Sequence, residues 1–292
     1  MNKYLAFIKV IELGSMTKAA KEMGFSQPGI SNMIKHFEEE VGFPLVQRQN
    51  DVFVPTEDGK IVLDYCYQFQ LLDENMQAAI GSITGLLGGT IHIGVLNSMA
   101  TYFLPELIDR FSRSYSNIEM NLREFSVSQM KESLSRNQTD IGFSNFDVPE
   151  GFEFHPLFED EIMLCMSKDH PLTRYEEVPI SALNGCDFLM PVKGWDDLVK
   201  AVTKKRKFKP NVRHQIASDT AGIAMAAKGL GVHIMSRLQL RFTGDIVVCR
   251  PFKEHCYRTM GGCIRPEKYR SPAVQEFFRV ALEFGKEFRG NL

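Results

Sequence analysis

Gln27, Ser31, Asn32 and Lys35 are spaced so that a helix carries all four on one face. The side-chain amides of Gln and Asn set a donor beside an acceptor, the pattern that pairs with adenine in the major groove of duplex DNA. Lys18, Lys35 and Arg48 supply cations for phosphates, and Arg48 with Gln49 suits a minor groove. Helix starts at Ser26 and at Ser15 or Thr17 add free backbone N–H groups, which favour anions. A second set of polar turns lies further on. Leu96-Asn97-Ser98-Met99 and Ser218-Asp219-Thr220 each follow a strand and open a helix, where a carboxylate or another polar group is attracted. Trp195, Phe143, Phe146 and Met99 are candidates for an aromatic or apolar wall, with core packing the alternative for each. Asp219 either disfavours a carboxylate or selects an amine or hydroxyl.

The elements that must position these groups begin with short helical patterns in the first 60 residues. Leu5, Ile8 and Ile11, with Phe7, mark the inner face of a first helix that Gly14 ends. A second short helix runs through Ala19, Ala20 and Met23. Ser26 caps a third, with Pro28 in its first turn, where a missing N–H costs little. Ile30, Ile34, Phe37 and Val41 give that helix one buried face. Two short strands follow, Leu45 to Arg48 and Val52 to Val54, joined at Asn50-Asp51, a good hairpin turn. Three helices and a hairpin describe a winged helix-turn-helix.

Pro55-Thr56-Glu57-Asp58 reads as a new helix start, a capping threonine before acidic residues. Val62, Tyr65, Phe69, Leu72, Met76, Ala79, Ile83 and Leu86 then recur at alternating spacings of three and four. That is a heptad seam, the signature of paired helices. A single amphipathic helix lying on its own domain is the alternative. Gly85, Gly88 and Gly89 end the seam. From Thr90 strands and helices alternate, which argues for a mostly parallel sheet. Strands are expected at Ile91 to Val95, Glu119 to Arg123, Ile141 to Ser144, Ile162 to Met166, Phe188 to Met190, Val212 to Ile216 and Val232 to Met235. Helices are expected at Phe103 to Phe111, Gln129 to Leu134, after Trp195, at Thr220 to Lys228 and at Pro272 to Phe288. Two small lobes joined by crossing strands leave a cleft, and ligands sit at strand carboxyl ends in such clefts.

Composition narrows the classes. The chain has 292 residues, 44% hydrophobic and 24% charged, with a formal net charge of -2. That suits two globular domains and excludes a disordered chain or a disulfide scaffold. A generally basic coat is absent, so any DNA contact must be local. Up to residue 60, seven cations face eight anions, a weak balance for a single DNA-binding module. Lys9 and Glu12 break the first apolar run, so neither a signal peptide nor a membrane span is expected, and the cytoplasm is the expected site. Cys66, Cys165, Cys186, Cys249, Cys256 and Cys263 are scattered without a CxxC pair, which fits reduced thiols. His255, Cys256 and Cys263 lack a fourth zinc ligand. Gly229-Leu230-Gly231 lacks the rest of a dinucleotide loop, and no catalytic triad signature stands out. Lys204-Lys205-Arg206-Lys207 reads as a solvated loop. No enzyme activity and no cofactor are expected.

The stretch from Phe7 to Gly59 resembles the LysR-type transcriptional regulators. The runs that carry the resemblance are Gly14-Ser15-Met16-Thr17-Lys18-Ala19-Ala20, Ser26-Gln27-Pro28-Gly29-Ile30-Ser31, Phe37-Glu38-Glu39-Glu40-Val41-Gly42 and Pro55-Thr56-Glu57-Asp58-Gly59. Asp169-His170-Pro171-Leu172 and Ala227-Lys228-Gly229-Leu230-Gly231-Val232 extend it over the whole chain. The resemblance implies an α/β protein with an N-terminal all-α winged helix-turn-helix at 1–58, a dimerising linker helix at 59–88 and an effector domain at 89–292. That domain has two lobes of periplasmic-binding-protein type II architecture, lobe I at 89–160 and 265–292 and lobe II at 161–264. It implies a bacterial regulator, homodimeric or homotetrameric, that binds double-stranded promoter DNA under control of a small-molecule effector. Carboxylate or aromatic effectors fit that expectation. Gln27, Pro28, Ser31 and Asn32 match the positions that approach bases. Asn97, Ser98, Met99, Phe143, Pro191, Trp195, Ser218 and Thr220 match positions that line the cleft. His233 and Ser236 stand where apolar or proline types are commoner, implying an unusually polar rear wall. The family often has arginine at the place of Asn32 and a more basic wing. The alternatives are a cytoplasmic solute-binding protein or a thiol-redox-responsive regulator. Against the latter, Gly194-Trp195-Asp196-Asp197 has no thiol where the redox-sensing branch of the family places one.

Overall fold

The structure is a computed structural model and describes residues 2–83, 89–145, 148–204 and 208–288. The chain forms two compact units, one of Met1–Gly89 with Arg136–Gln138 and one of Thr90–Ser135 with Thr139–Leu292.

The first unit opens with α1 (Asn2–Leu13), α2 (Met16–Met23) and α3 (Gln27–Val41). Ser15 is the cap of α2, its hydroxyl accepting the Lys18 N–H at 3.4 Å, whereas Thr17 lies inside the helix and is exposed. Ser26 caps α3 by accepting the Gly29 N–H at 3.2 Å, and Pro28 occupies the first turn. Phe7, Ile8, Ile30, Ile34 and Phe37 form the core; Ala6 and Val10 are buried with them, while Leu5 and Ile11 are only half-buried. The wing is β1 (Val46–Gln49) paired antiparallel with β2 (Val52–Pro55). Asn50 and Asp51 between them have φ of 46° and 64°. Two successive left-handed residues make the primed turn that matches strand twist, and Asn and Asp tolerate it best after glycine. Gly14, at φ +61, ends α1 where a Cβ would come within 2.5 Å of Val52 Cγ1. The α1 stop and the wing therefore need the same glycine.

Thr56 begins α4 (Glu57–Ile83), its Oγ1 accepting the Gly59 N–H at 2.8 Å. The helix has two apolar faces. Leu63, Cys66 and Tyr67 are buried against the helix-turn-helix core, and Val62 packs with them. Ile61, Tyr65, Phe69, Leu72, Met76 and Ile80 are exposed. Val62, expected to lead the seam, packs against the helix-turn-helix core instead, because α4 must also anchor its own domain. The side chains of Ala79 and Ile83, and residues Gly85, Leu86 and Gly88, lie outside the described residues.

The second unit runs β3 (Gly89–Val95), α5 (Asn97–Tyr102), α6 (Leu104–Ser114), β4 (Ile118–Glu124), α7 (Val127–Ser135), β5 (Ile141–Ser144) and β6 (Glu153–Met166). It continues with β7 (Asp187–Pro191), α8 (Asp197–Thr203), β8 (Asn211–Ile216), α9 (Asp219–Ala227), β9 (His233–Ser236), β10 (Val248–Pro251), β11 (Tyr257–Ile264) and α10 (Pro272–Phe288). One core gathers Ile91, Ile93, Phe103, Phe111, Phe143, Phe158, Phe277 and Phe278. Another gathers Ile162, Leu164, Phe188, Val232 and Phe252.

Two strands join the cores. Residues Glu153 to Glu161 of β6 pair with β11, while Ile162 to Met166 pair with β9 and β10. β6 is therefore the outward crossing strand, changing partners between Glu161 and Ile162. The return differs from expectation. β11 pairs with β5 and the first half of β6, so the chain is back in the first sheet by Tyr257 rather than after Ile264. The sheet is also mixed rather than mostly parallel. β3 with β5 and β7 with β8 are parallel, but every pairing of β6 is antiparallel. Crossing strands that traverse the molecule once in each direction must oppose one another.

Candidate functional site

Two sites emerge. The first is the surface of the helix-turn-helix. Thr17, Lys18, Ser26, Gln27, Pro28, Asn32, Lys35 and Arg48 are exposed, and Ser15 and Ser31 are half-buried. None of the ten is taken into the core, so the amino end of α3 presents short polar groups to solvent, as groove reading requires. Much of the module's positive charge is neutralised. Lys3 pairs with Glu40, Lys9 with Glu12 and Glu22, and Lys60 with Glu57. Lys35 stands 3.8 Å from Glu39 and Arg48 3.0 Å from Asp51, exposed pairs that phosphates can displace. Lys204 is exposed, and the rest of its basic run lies outside the described residues.

The second site is a cleft within the second unit, at the ends of the crossing strands. Four helix starts open onto it: Asn97 and Ser98 of α5, Ser126 and Val127 before and within α7, Asp197 of α8 and Asp219 of α9. Pro191 and Trp195 line the same cavity, with Ser236, Gln239 and Arg258. An adjoining pocket adds Glu124, Ile216 and Ser218. Ser218 precedes α9 without making a capping hydrogen bond, which leaves its hydroxyl for other partners.

A buried ion pair holds the middle together. Asp160, on β6, is fully buried. Its carboxylate accepts from Arg258 Nε at 2.8 Å, from the Ser236 hydroxyl at 2.6 Å and from the Leu238 N–H at 3.3 Å. Arg258 Nη2 also donates to Ser98 Oγ at 2.8 Å. The guanidinium thus ties α5 to both crossing strands. Asp219 has its own partners. His233 Nε2–H donates to Oδ1 at 3.2 Å, and the Gln239 amide donates to Oδ2 at 2.5 Å. Burial alone would push the Asp219 carboxyl up; the His233 and Gln239 bonds, with Arg258 nearby, outweigh it and hold the carboxyl below its usual range. Burial pushes Asp197 upward.

A carboxyl held low in the folded state stabilises above its unfolded pKa, and that stabilisation is lost as pH falls through the folded value. Asp219→Asn is therefore expected to lower the urea midpoint at pH 7, with the difference from wild type shrinking below about pH 4. Urea titrations of both proteins at the two pH values check this. A gap that widens in acid contradicts the pairing.

The structure brings Asn97, Ser98, Pro191, Trp195 and Ser218 together in the cleft. Four expected residues are elsewhere. Phe143 is fully buried, its ring 5.7 Å from Phe103 and 6.5 Å from Phe277, because β5 is a central strand. Met99 is fully buried in the same core. Thr220 is exposed on α9 and does not line the cavity. His233 is fully buried behind Asp219, where it orients the carboxylate rather than meeting a ligand. Phe146 lies outside the described residues. Sequence reading missed Arg258, Gln239, Ser126 and Asn145. Arg258 follows Tyr257 in a strand with no helix-start signal, and only the sheet register reveals that it faces Asp160. Among the described residues no cluster of His, Cys, Asp and Glu could hold a metal ion, and no helix is long and apolar enough to cross a membrane.

A winged helix-turn-helix joined to a two-lobed domain with a polar cleft defines a DNA-binding protein that carries an effector-binding domain. The chain belongs to the LysR family: residues 1–60 match the bacterial regulatory helix-turn-helix protein family of lysR type, and residues 84–286 match the LysR substrate binding domain. It is a LysR-type DNA-binding transcriptional regulator, which decides against the solute-receptor reading. YvbU of Bacillus subtilis, an uncharacterized HTH-type transcriptional regulator, is 27% identical over 96% of this chain and 97% of its own. Full-length OxyR from Pseudomonas aeruginosa superposes with a TM-score of 0.75 at 20% identity, over 98% of this chain and 94% of that one. The effector binding domain of QuiR in complex with shikimate gives a TM-score of 0.62 at 21% identity, over 68% of this chain and 98% of that one.

Proposed function

We propose that this chain binds double-stranded promoter DNA as a homodimer paired along α4, assembled further into a homotetramer, and that a small molecule in the cleft shifts that assembly. In this reading residues 1–58 are the DNA module, 59–88 the dimerising linker and 89–292 the effector domain, working by binding in the cytoplasm. Gln27, Pro28, Ser31 and Asn32 approach bases. Lys18, Lys35 and Arg48 meet phosphates, and the Ser15 and Ser26 helix starts, with Thr17, offer N–H and hydroxyl donors. The observation that carries the reading is the exposed polar face of α3, on a capped helix beside a primed hairpin.

The cleft favours a ligand rich in hydrogen-bond donors. Asp197, Asp219 and Glu124 line it, whereas its one lining cation among the described residues, Arg258, is already paired with Asp160. Asn145 adds a buried carbonyl oxygen with no partner. A hydroxyl- or amine-bearing molecule satisfies these acceptors, where a simple carboxylate meets like charge. Trp195 at the rim, 42% exposed, gives an aromatic face for a ring or a cation. QuiR, which shares the fold, holds shikimate, a precedent for a small ligand in this architecture. A ligand that closes the lobes differently changes the population of two assembly geometries.

Footprinting on DNA beside the protein's own gene tests the reading. A protected pair of half-sites is expected. Asn32→Ala is expected to weaken that site about tenfold, the discrimination one bidentate base contact supplies, while leaving random-sequence binding unchanged. Absence of protection with and without a metabolite panel overturns it.

A further inference from the structure

β6 and β10 run antiparallel with Cys165 directly opposite Cys249. Residues opposite one another in such a pair project from the same face, with Cβ atoms about 4.5–5.5 Å apart. That is within a small adjustment of the roughly 3.5–4.5 Å that a disulfide spans. Both thiols are free. Cys165 is fully buried in the small core beneath α9, whereas Cys249 is half-buried at its margin, 3.9 Å from Met235 Sδ.

The two sulfurs are unlike. The facing Cys165 thiol lowers the Cys249 thiol; burial opposes this, and the neighbouring Arg250 charge adds to it. The facing Cys249 and burial push Cys165 up. Burial also pushes Cys66 up to about 11 and Cys263 up to about 12, and it raises Cys186. The accessible member of the facing pair is therefore the better nucleophile, and its buried partner stands ready to resolve it. On the other side of Cys165, β9 places His233 directly opposite. The pair sits one strand from the imidazole that orients Asp219 in the cleft.

We propose that Cys165 and Cys249 are a modification site, a dithiol that closes to a cross-strand disulfide by exchange with a low-molecular-weight disulfide. The Cys249 thiolate attacks one sulfur of the small disulfide, forming a mixed disulfide and releasing one small thiolate. The Cys165 sulfur then attacks Cys249, forming the internal S–S bond and expelling the second small thiolate. The two protein thiol protons pass to the two released thiols. The protein loses two electrons and the small disulfide gains them.

The test uses the folded full-length chain and oxidised glutathione. Intact mass is expected to fall by two hydrogens with no glutathione retained, and peptide mapping is expected to join the Cys165 and Cys249 peptides. Dithiothreitol reverses the change. Cys165→Ser is expected to stop at a stable glutathione adduct on Cys249, and Cys249→Ser to stay unmodified. Cys186→Ser is expected to close the disulfide as wild type does. A wild-type chain that retains glutathione on Cys249, joins other cysteines, or keeps all thiols reduced while folded overturns the proposal. Mapping of the wild type decides the matter even where a variant fails to fold.

Discussion

Replacing Leu72 by lysine is expected to weaken binding to a two-half-site promoter by about 100-fold or more, the scale at which linked modules lose their effective concentration. Leu72 lies mid-helix in α4 and is 65% exposed. Tyr65 and Phe69 precede it and Met76 follows, all exposed on the same stripe. The face that anchors α4 to its own domain is made mainly by Leu63, Cys66 and Tyr67, with Phe69 also stacking on Tyr4. A lysine at 72 therefore costs the isolated chain little, since its position already meets solvent. In a paired helix it buries a charge in an apolar seam, which disfavours pairing. The effect on DNA is large because each module is weak alone. Seven cations against eight anions up to residue 60 leave little electrostatic affinity. Sedimentation velocity on Leu72→Lys is expected to show a smaller species, with gel shifts showing the lost affinity. A variant that dissociates yet binds DNA as wild type does removes the role given to α4.

How much of this was legible in the sequence depended on how local each signal is. Helix caps, the Asn50-Asp51 turn and the bounds of α10 rest on residues a few positions apart, and they were readable. The cleft was readable where helix starts made it, at Asn97, Ser98 and Ser218. It was not readable where strand pairing made it. Arg258 meets Asp160 because β11 lies antiparallel to β6, and no local pattern in either strand announces that register. Phe143 and Met99 show the opposite failure. Their neighbours mark the right loops, but alternation along a central strand and a short helix turns those two side chains into the core. Cys165 and Cys249 illustrate the same limit, since their facing positions exist only in the sheet.

Removing Arg258 is expected to cost the second unit as much stability as truncating one of its fully buried core side chains. The Asp160 side chain has no exposure and Arg258 little, so their attraction is poorly screened by water. Arg258→Ala leaves the carboxylate with only the Ser236 hydroxyl and the Leu238 N–H. Breaking a buried pair from one side typically costs about 3–5 kcal/mol, because a charge is left uncompensated. Taking both charges away is a different matter. Asp160→Leu combined with Arg258→Met is expected to recover most of the loss, since apolar replacements of similar volume no longer need a counter-charge. The double change is nevertheless expected to abolish the ligand response, because Arg258 also fixes Ser98 at the start of α5. Urea midpoints separate these effects from ligand-induced thermal shifts. A single variant within about 1 kcal/mol of wild type, the size of an exposed pair, would mean that water reaches the pair. A double variant that regains stability and still responds to ligand would mean that Ser98 is held by something other than the guanidinium.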